Sequence, residues 1–222
     1  MEQIAVILFV CFALPMLPML FIIPDKKSKL LLGYFIIGCT ICLIAGEVNI
    51  QLLVLFGGDS VYVTSTISPI SEELLKAIPV LYFAIVFSDD RDTLLSIAFA
   101  LGIGFALLEN AVALTKNFAG ISFEWAFTRV VGAALMHGAC TAAVGLGMSY
   151  IRKRRKLFFC GTFALLMAAV IYHASFNVLI QSPFRAAALI LPAALYIPVL
   201  ISEFIRRRKQ KGTEAADARE KR

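Results

Sequence analysis

Residues 4–23 read IAVILFVCFALPMLPMLFII, twenty positions without a charge. That is the length needed to cross the hydrocarbon core of a bilayer as a helix, about 20 residues. Glu2 precedes the run where a signal peptide would carry basic residues, and the run is too long for a signal-peptide core. It reads as a retained membrane helix. The same texture continues outward through the chain. Of 222 residues, 60% are hydrophobic and 16% charged, with a mean hydropathy of +0.85. Soluble domains carry roughly 25% charged residues, so a water-soluble fold is excluded. Further apolar segments run from about Leu30 to Phe56, Ile67 to Phe87, Thr93 to Leu114, Trp125 to Ile151, Leu157 to Ile180 and Pro183 to Ile205. Pro24-Asp25, Gly57-Gly58-Asp59-Ser60 and Ser88-Asp89-Asp90 punctuate them. The expected fold is all-α, a polytopic bundle of about seven transmembrane helices. Residues 1–205 form one membrane domain, and 206–222 a basic cytoplasmic tail too hydrophilic to bury anything.

Lys and Arg alternate between loops very unevenly. Three lie at 26–29, one at Arg91, five at 152–156 and eight from Arg206 onward, seventeen on one side. The other side holds only Lys116, Arg129 and Arg185. The positive-inside rule then predicts a multi-pass cell-membrane protein with its N-terminus outside and its C-terminus in the cytoplasm. The net charge of +6 is thereby a topology signal and a lipid contact, with no sign of a nucleic-acid partner. Five cysteines all fall in apolar stretches. Cys39 and Cys42 have CxxC spacing, but no second pair or neighbouring His accompanies them, so they read as small helix residues.

The informative residues are the polar ones inside the helices, because each charge at mid-bilayer costs about 2.5–3.5 kcal/mol on the insertion scale. They are Glu72, Glu73 and Lys76 on the third helix, Glu109 and Asn110 on the fourth, His137 on the fifth, and His173 with Asn177 on the sixth. At a rise of about 1.5 Å per residue, Glu72 and Glu73 lie roughly 8–9 Å in from the outer face. By the same measure Glu109 and His173 lie about 24 Å along helices running outward, and His137 about 15 Å or more into a helix running inward. Carboxylates and imidazoles from four helices thus share one layer in the outer half of the membrane. Glu72 and Glu73 stand i,i+4 and i,i+3 to Lys76, which neutralises one of them. A Glu–Lys pair alone is commonly a packing clamp, and a lone buried His commonly a structural residue; two histidines at one depth beside three glutamates point to a site. Glu47 and Arg129 lie near helix ends and read as interfacial. Phe105, Gly102, Gly104, Gly132 and Gly138 read as packing positions.

Four short motifs occur in order on successive helices: Ser71-Glu72-Glu73-Leu-Leu-Lys76, Gly104-Phe105-Ala-Leu-Leu-Glu109-Asn110, Met136-His137-Gly138 and His173-Ala-Ser-Phe-Asn177. Together they resemble the PrsW family of bacterial membrane proteases, which is similar in turn to the CPBP group that includes the CAAX prenyl endopeptidases. The resemblance implies an endopeptidase that cuts a membrane-anchored protein, such as an anti-sigma factor, near its extracytoplasmic side. It implies Glu72 or Glu73 as general base, and His173 with Asn177 as oxyanion stabilisers. The chain departs from the CAAX pattern at Lys76, which stands one position early in place of Arg, and at Glu109, which stands in place of His. His137 is then the candidate for the missing imidazole, with Lys76 and Asn110 in support.

Peptide hydrolysis needs a base for water, donors for the oxyanion and an acid for the leaving amine. Glutamate-activated water without a cofactor is the preferred expectation, since no HExxH is present. A zinc alternative would use Glu73, His137 and His173. A proton- or cation-coupled transporter built on the same residues is a rival from another class, and a scaffold whose polar residues only lock helices together is a third. Neither an internal repeat nor a Gly/Pro-broken helix pair supports transport.

Overall fold

The computed structural model describes residues 2–153, 155–198 and 201. Every regular element among them is helical. The seven helices are α1 (Gln3–Ile22), α2 (Lys26–Leu55), α3 (Ser68–Val86), α4 (Arg91–Lys116), α5 (Phe123–Met148), α6 (Phe158–Gln181) and α7 (Ala187–Pro198). Five of them, α1, α2, α4, α5 and α6, are long and apolar enough to cross a membrane. Glu72, Glu73 and Lys76 keep the 19-residue α3 out of that set, although its other positions are largely apolar. The expected tail at 206–222 and the end of the seventh helix lie outside the described residues.

Helix starts follow their caps. Asp25 accepts from Ser28 N at 2.7 Å, Asp90 from Thr93 N at 2.9 Å, and the Ser122 hydroxyl from Trp125 N at 3.1 Å. Each satisfies a backbone donor that has no partner within the helix. Both α2 and α4 therefore begin a little earlier than apolarity alone suggests: a charged first turn is still helical once capped. Gly57 and Gly58, at φ 70° and 83°, end α2 in a conformation that other residues adopt only at a cost. The expected unbroken first helix is interrupted by a 3₁₀ turn at Leu14–Met16, where Pro15 and Pro18 remove backbone donors.

α4 is the centre of the bundle because glycines let its neighbours come close. A methyl at Gly38 on α2 would sit 2.0 Å from Leu101 O, and one at Gly104 on α4 2.0 Å from Phe35 O. On the other side Gly102 meets His137 O and Gly145 meets Leu94 O, with 2.5 and 2.6 Å left for a methyl. Close backbone approach through small residues is how helices associate in lipid, where apolar burial gives no drive. The outward faces are apolar, with Phe21, Phe118 and Phe123 each more than 80% exposed, as a lipid-facing surface demands. α1 is the loosest member: 6% of its central stretch is buried, against 56% for α5.

Candidate active site

Packed this tightly, α3, α4, α5 and α6 bring their charged side chains into contact. Lys76 Nζ lies 2.6 Å from Glu73 Oε1 and 2.9 Å from His137 Nδ1. An ammonium has only hydrogens to offer, so Nδ1 accepts and His137 carries its proton on Nε2. From there Nε2–H donates to Glu109 Oε2 at 2.7 Å, while Arg129 Nη2 donates to Glu109 Oε1 at 2.6 Å. Glu73 Oε1 also accepts from His173 Nδ1 at 2.8 Å. His173 thus turns its Nε2 toward Glu72 Oε2, 3.7 Å away and beyond hydrogen-bond reach. Asn49 on α2 donates to the other oxygen of Glu72 at 2.9 Å, and Glu72 Oε2 itself is buried with no hydrogen-bond partner among the described residues. Phe105 floors the cluster, with Lys76 Nζ 4.4 Å from its ring centre and the His137 ring beside it.

Three carboxylates face two fixed cations in this arrangement. Lys76 answers Glu73 and Arg129 answers Glu109, leaving Glu72 without an ammonium or guanidinium partner among the described residues. Glu73 and Lys76 are wholly buried, Glu72 nearly so, and Glu109 is 28% exposed. Glu72 Oε2 and Glu73 Oε2 are both buried without a hydrogen-bond partner among the described residues, which is costly. Glu73 has Lys76 and His173 on its other oxygen, so Glu72 Oε2, facing His173 Nε2, marks the reactive end of the network. Glu72 lines a cavity of about 730 Å³ together with Glu109, Arg129 and Asn177; His173 is not among the residues lining it. The cavity reaches Ser60, Lys116, Trp125 and Gln181, the end of the bundle opposite the basic loops.

A proline shapes one wall. The segment Val63–Ile67 ahead of α3 is a π turn in which Ser68 N donates to Val63 O, five residues back. Thr64 O thereby loses the partner an α-helix would give it, and the residue five ahead is Pro69, which has no N–H. The Asn177 side-chain amide supplies the missing donor at 3.0 Å.

The sequence-derived candidates are distributed as follows. Glu72, Glu73, Lys76, Glu109, His137 and His173 meet in one connected group. Asn177 lines the cavity but spends one amide hydrogen on Thr64 O. Asn110 stands apart, donating to Val130 O at 3.1 Å as a clamp between α4 and α5. Arg129, expected at the interface, is instead bound to Glu109; a separation of 20 positions and a turn between helices hide that pair from a spacing argument. The three groups that converge as metal donors are Glu72, His137 and His173, whose ligand atoms lie within 4.8 Å of one another. Glu72 thus stands where the sequence-based zinc set names Glu73, because Glu73 is already engaged by Lys76 and His173. Zinc ligands about 2.0–2.2 Å from their metal stand roughly 3.3 Å apart, so the set has the right chemistry in a slightly open form.

Searches of the curated proteins and of the solved structures found no match to the chain. Residues 26–202 match the family described as PrsW family intramembrane metalloprotease, a stretch that contains every member of the buried cluster. With most of its length matched, this membrane-embedded chain belongs to the PrsW family of intramembrane proteases.

Proposed function

We propose that the protein is an endopeptidase of the cell membrane that hydrolyses a peptide bond in a membrane-anchored protein, of the anti-sigma-factor kind, near its extracytoplasmic side. One observation carries this reading: Glu72, which lines the cavity, has its Oε2 3.7 Å from His173 Nε2, and neither atom is hydrogen-bonded among the described residues. The Lys and Arg asymmetry of the loops supports an external N-terminus and a cytoplasmic tail. On that orientation the cavity opens to the external side.

Glu72, His137 and His173 are the residues that would hold a metal. Their donor set of one carboxylate and two imidazoles is that of known catalytic zinc sites, and the unpartnered Glu72 oxygen fits it. A zinc ion bound there supplies Lewis-acid polarisation and a water acidic enough to attack an amide. Around it, Glu73 fixes the tautomer and direction of His173 through Nδ1, as carboxylates behind metal-ligating histidines do. Glu109 does the same for His137, with Arg129 balancing its charge. Asn177 keeps a second amide hydrogen for the developing oxyanion.

The Lys76–His137 contact favours a second, metal-free reading, because it occupies the lone pair a metal would need. Glu72 then takes the proton from water itself, and the spare amide hydrogen of Asn177 serves the oxyanion, a part His173 can share only with a hydrogen on Nε2 as well as on Nδ1. Cleavage of a purified single-pass membrane protein, with and without chelator, separates the two. Activity lost to chelator and restored by zinc supports the metal form; chelator-resistant activity supports the glutamate form. Proton or cation flux without cleavage would overturn both.

A further inference from the structure

Serine and threonine hydroxyls in this bundle follow a habit. Thr64 Oγ1 folds back on Ser60 O at 2.7 Å, Ser65 Oγ on Val61 O at 2.6 Å, and Ser175 Oγ on Ile171 O at 2.8 Å. Bonding to the carbonyl four residues earlier is how a hydroxyl in an apolar helix is satisfied. Ser68 breaks the habit. It is 3% exposed, its Oγ has no partner among the described residues, and it lines the cavity one helical turn before Glu72. The carbonyl it would use, Thr64 O, is taken by Asn177.

We infer that Ser68 Oγ is a substrate-positioning group that hydrogen-bonds the main chain of an extended segment of the substrate, beside the bond to be cut; this rests on the peptidase reading above. The physical demand comes from the substrate. A transmembrane helix satisfies its own backbone groups, and a chain opened for hydrolysis does not. Every N–H and C=O brought below the membrane surface in extended form needs a partner from the enzyme. Cavity size points the same way. The cavity, about 730 Å³ and open at the bundle end, has room for a short opened segment there. Ser68 and the second amide hydrogen of Asn177 lie on the wall that such a short opened segment would follow, and the Asn177–Thr64 bond that the π turn calls for is what leaves Ser68 Oγ unspent.

The test compares the wild type with Ser68→Ala and Ser65→Ala, all reconstituted with the same single-pass membrane substrate, by steady-state kinetics and thermal melting. Ser68→Ala is expected to lower kcat/KM about tenfold, the value of one hydrogen bond to substrate. The loss should fall mainly in KM, with a melting temperature equal to or above wild type, since removing an unpartnered hydroxyl costs the fold nothing. Ser65→Ala, whose hydroxyl already has its carbonyl, should cleave like wild type. Unchanged kinetics for Ser68→Ala, or a loss that merely tracks a lowered melting temperature, would overturn the inference and leave the peptidase reading standing. A wild type that cuts nothing, with zinc or without, would overturn both.

Discussion

Lys76 holds the centre of the buried network, touching Glu73 and His137 at once with no exposure to solvent. Removing one partner of a buried pair leaves the other charge uncompensated, at a cost of about 3–5 kcal/mol. Lys76→Met should therefore destabilise the protein by that order in denaturant titrations in mixed micelles, while Lys76→Met combined with Glu73→Gln should recover part of it. An unchanged midpoint for the single variant would mean that Glu73 is held neutral or reaches another cation. At this scale the sequence was informative wherever cost was visible: Glu72, Glu73, Glu109, His137 and His173 stand out because ionisable groups are expensive in lipid. Arg129 did not, since a basic residue near a helix end has an innocent explanation in snorkelling. Ser68 did not either. A serine in an apolar helix is ordinary until its hydroxyl is seen to lack the usual carbonyl.

Helices were legible in number and order, and their details were lost where polar chemistry extends them. Asp25 and Asp90 carry α2 and α4 back through charged first turns that apolarity does not register. The π turn before α3 is written only as Pro69, and its consequence for Thr64 and Asn177 needs the neighbouring helix. Gly104 was read as a packing position without its partner; the structure supplies Phe35 O on α2. Gly104→Ala should push α2 and α4 apart and destabilise the protein by about 1–3 kcal/mol. Gly33 lies on the same α2 with nothing within 4 Å of an added methyl, so Gly33→Ala should instead stabilise by up to about 1 kcal/mol through helix propensity. Melting temperatures moving in opposite directions would check both, and a neutral Gly104→Ala would contradict the close α2–α4 contact.

Across the whole molecule, composition establishes membrane residence and the order of polar motifs carries the family resemblance, while the cavity belongs to three dimensions alone. Its wall draws on all of α1 to α6 together with the turn before α3, and no spacing rule brings Ser60 near Gln181. The loose seating of α1 against this wall contrasts with the glycine-locked core behind it, so rigid and yielding sides are built into one bundle. The account stands or falls on Glu72, the buried carboxylate with an unpartnered oxygen opposite His173 Nε2. The most direct measurement is cleavage of a single-pass membrane substrate by Glu72→Gln beside wild type, both in the same bilayer and both checked by melting. Glu72→Gln should stay folded and cleave at least about 100-fold more slowly; cleavage at the wild-type rate would overturn Glu72 as the reacting carboxylate.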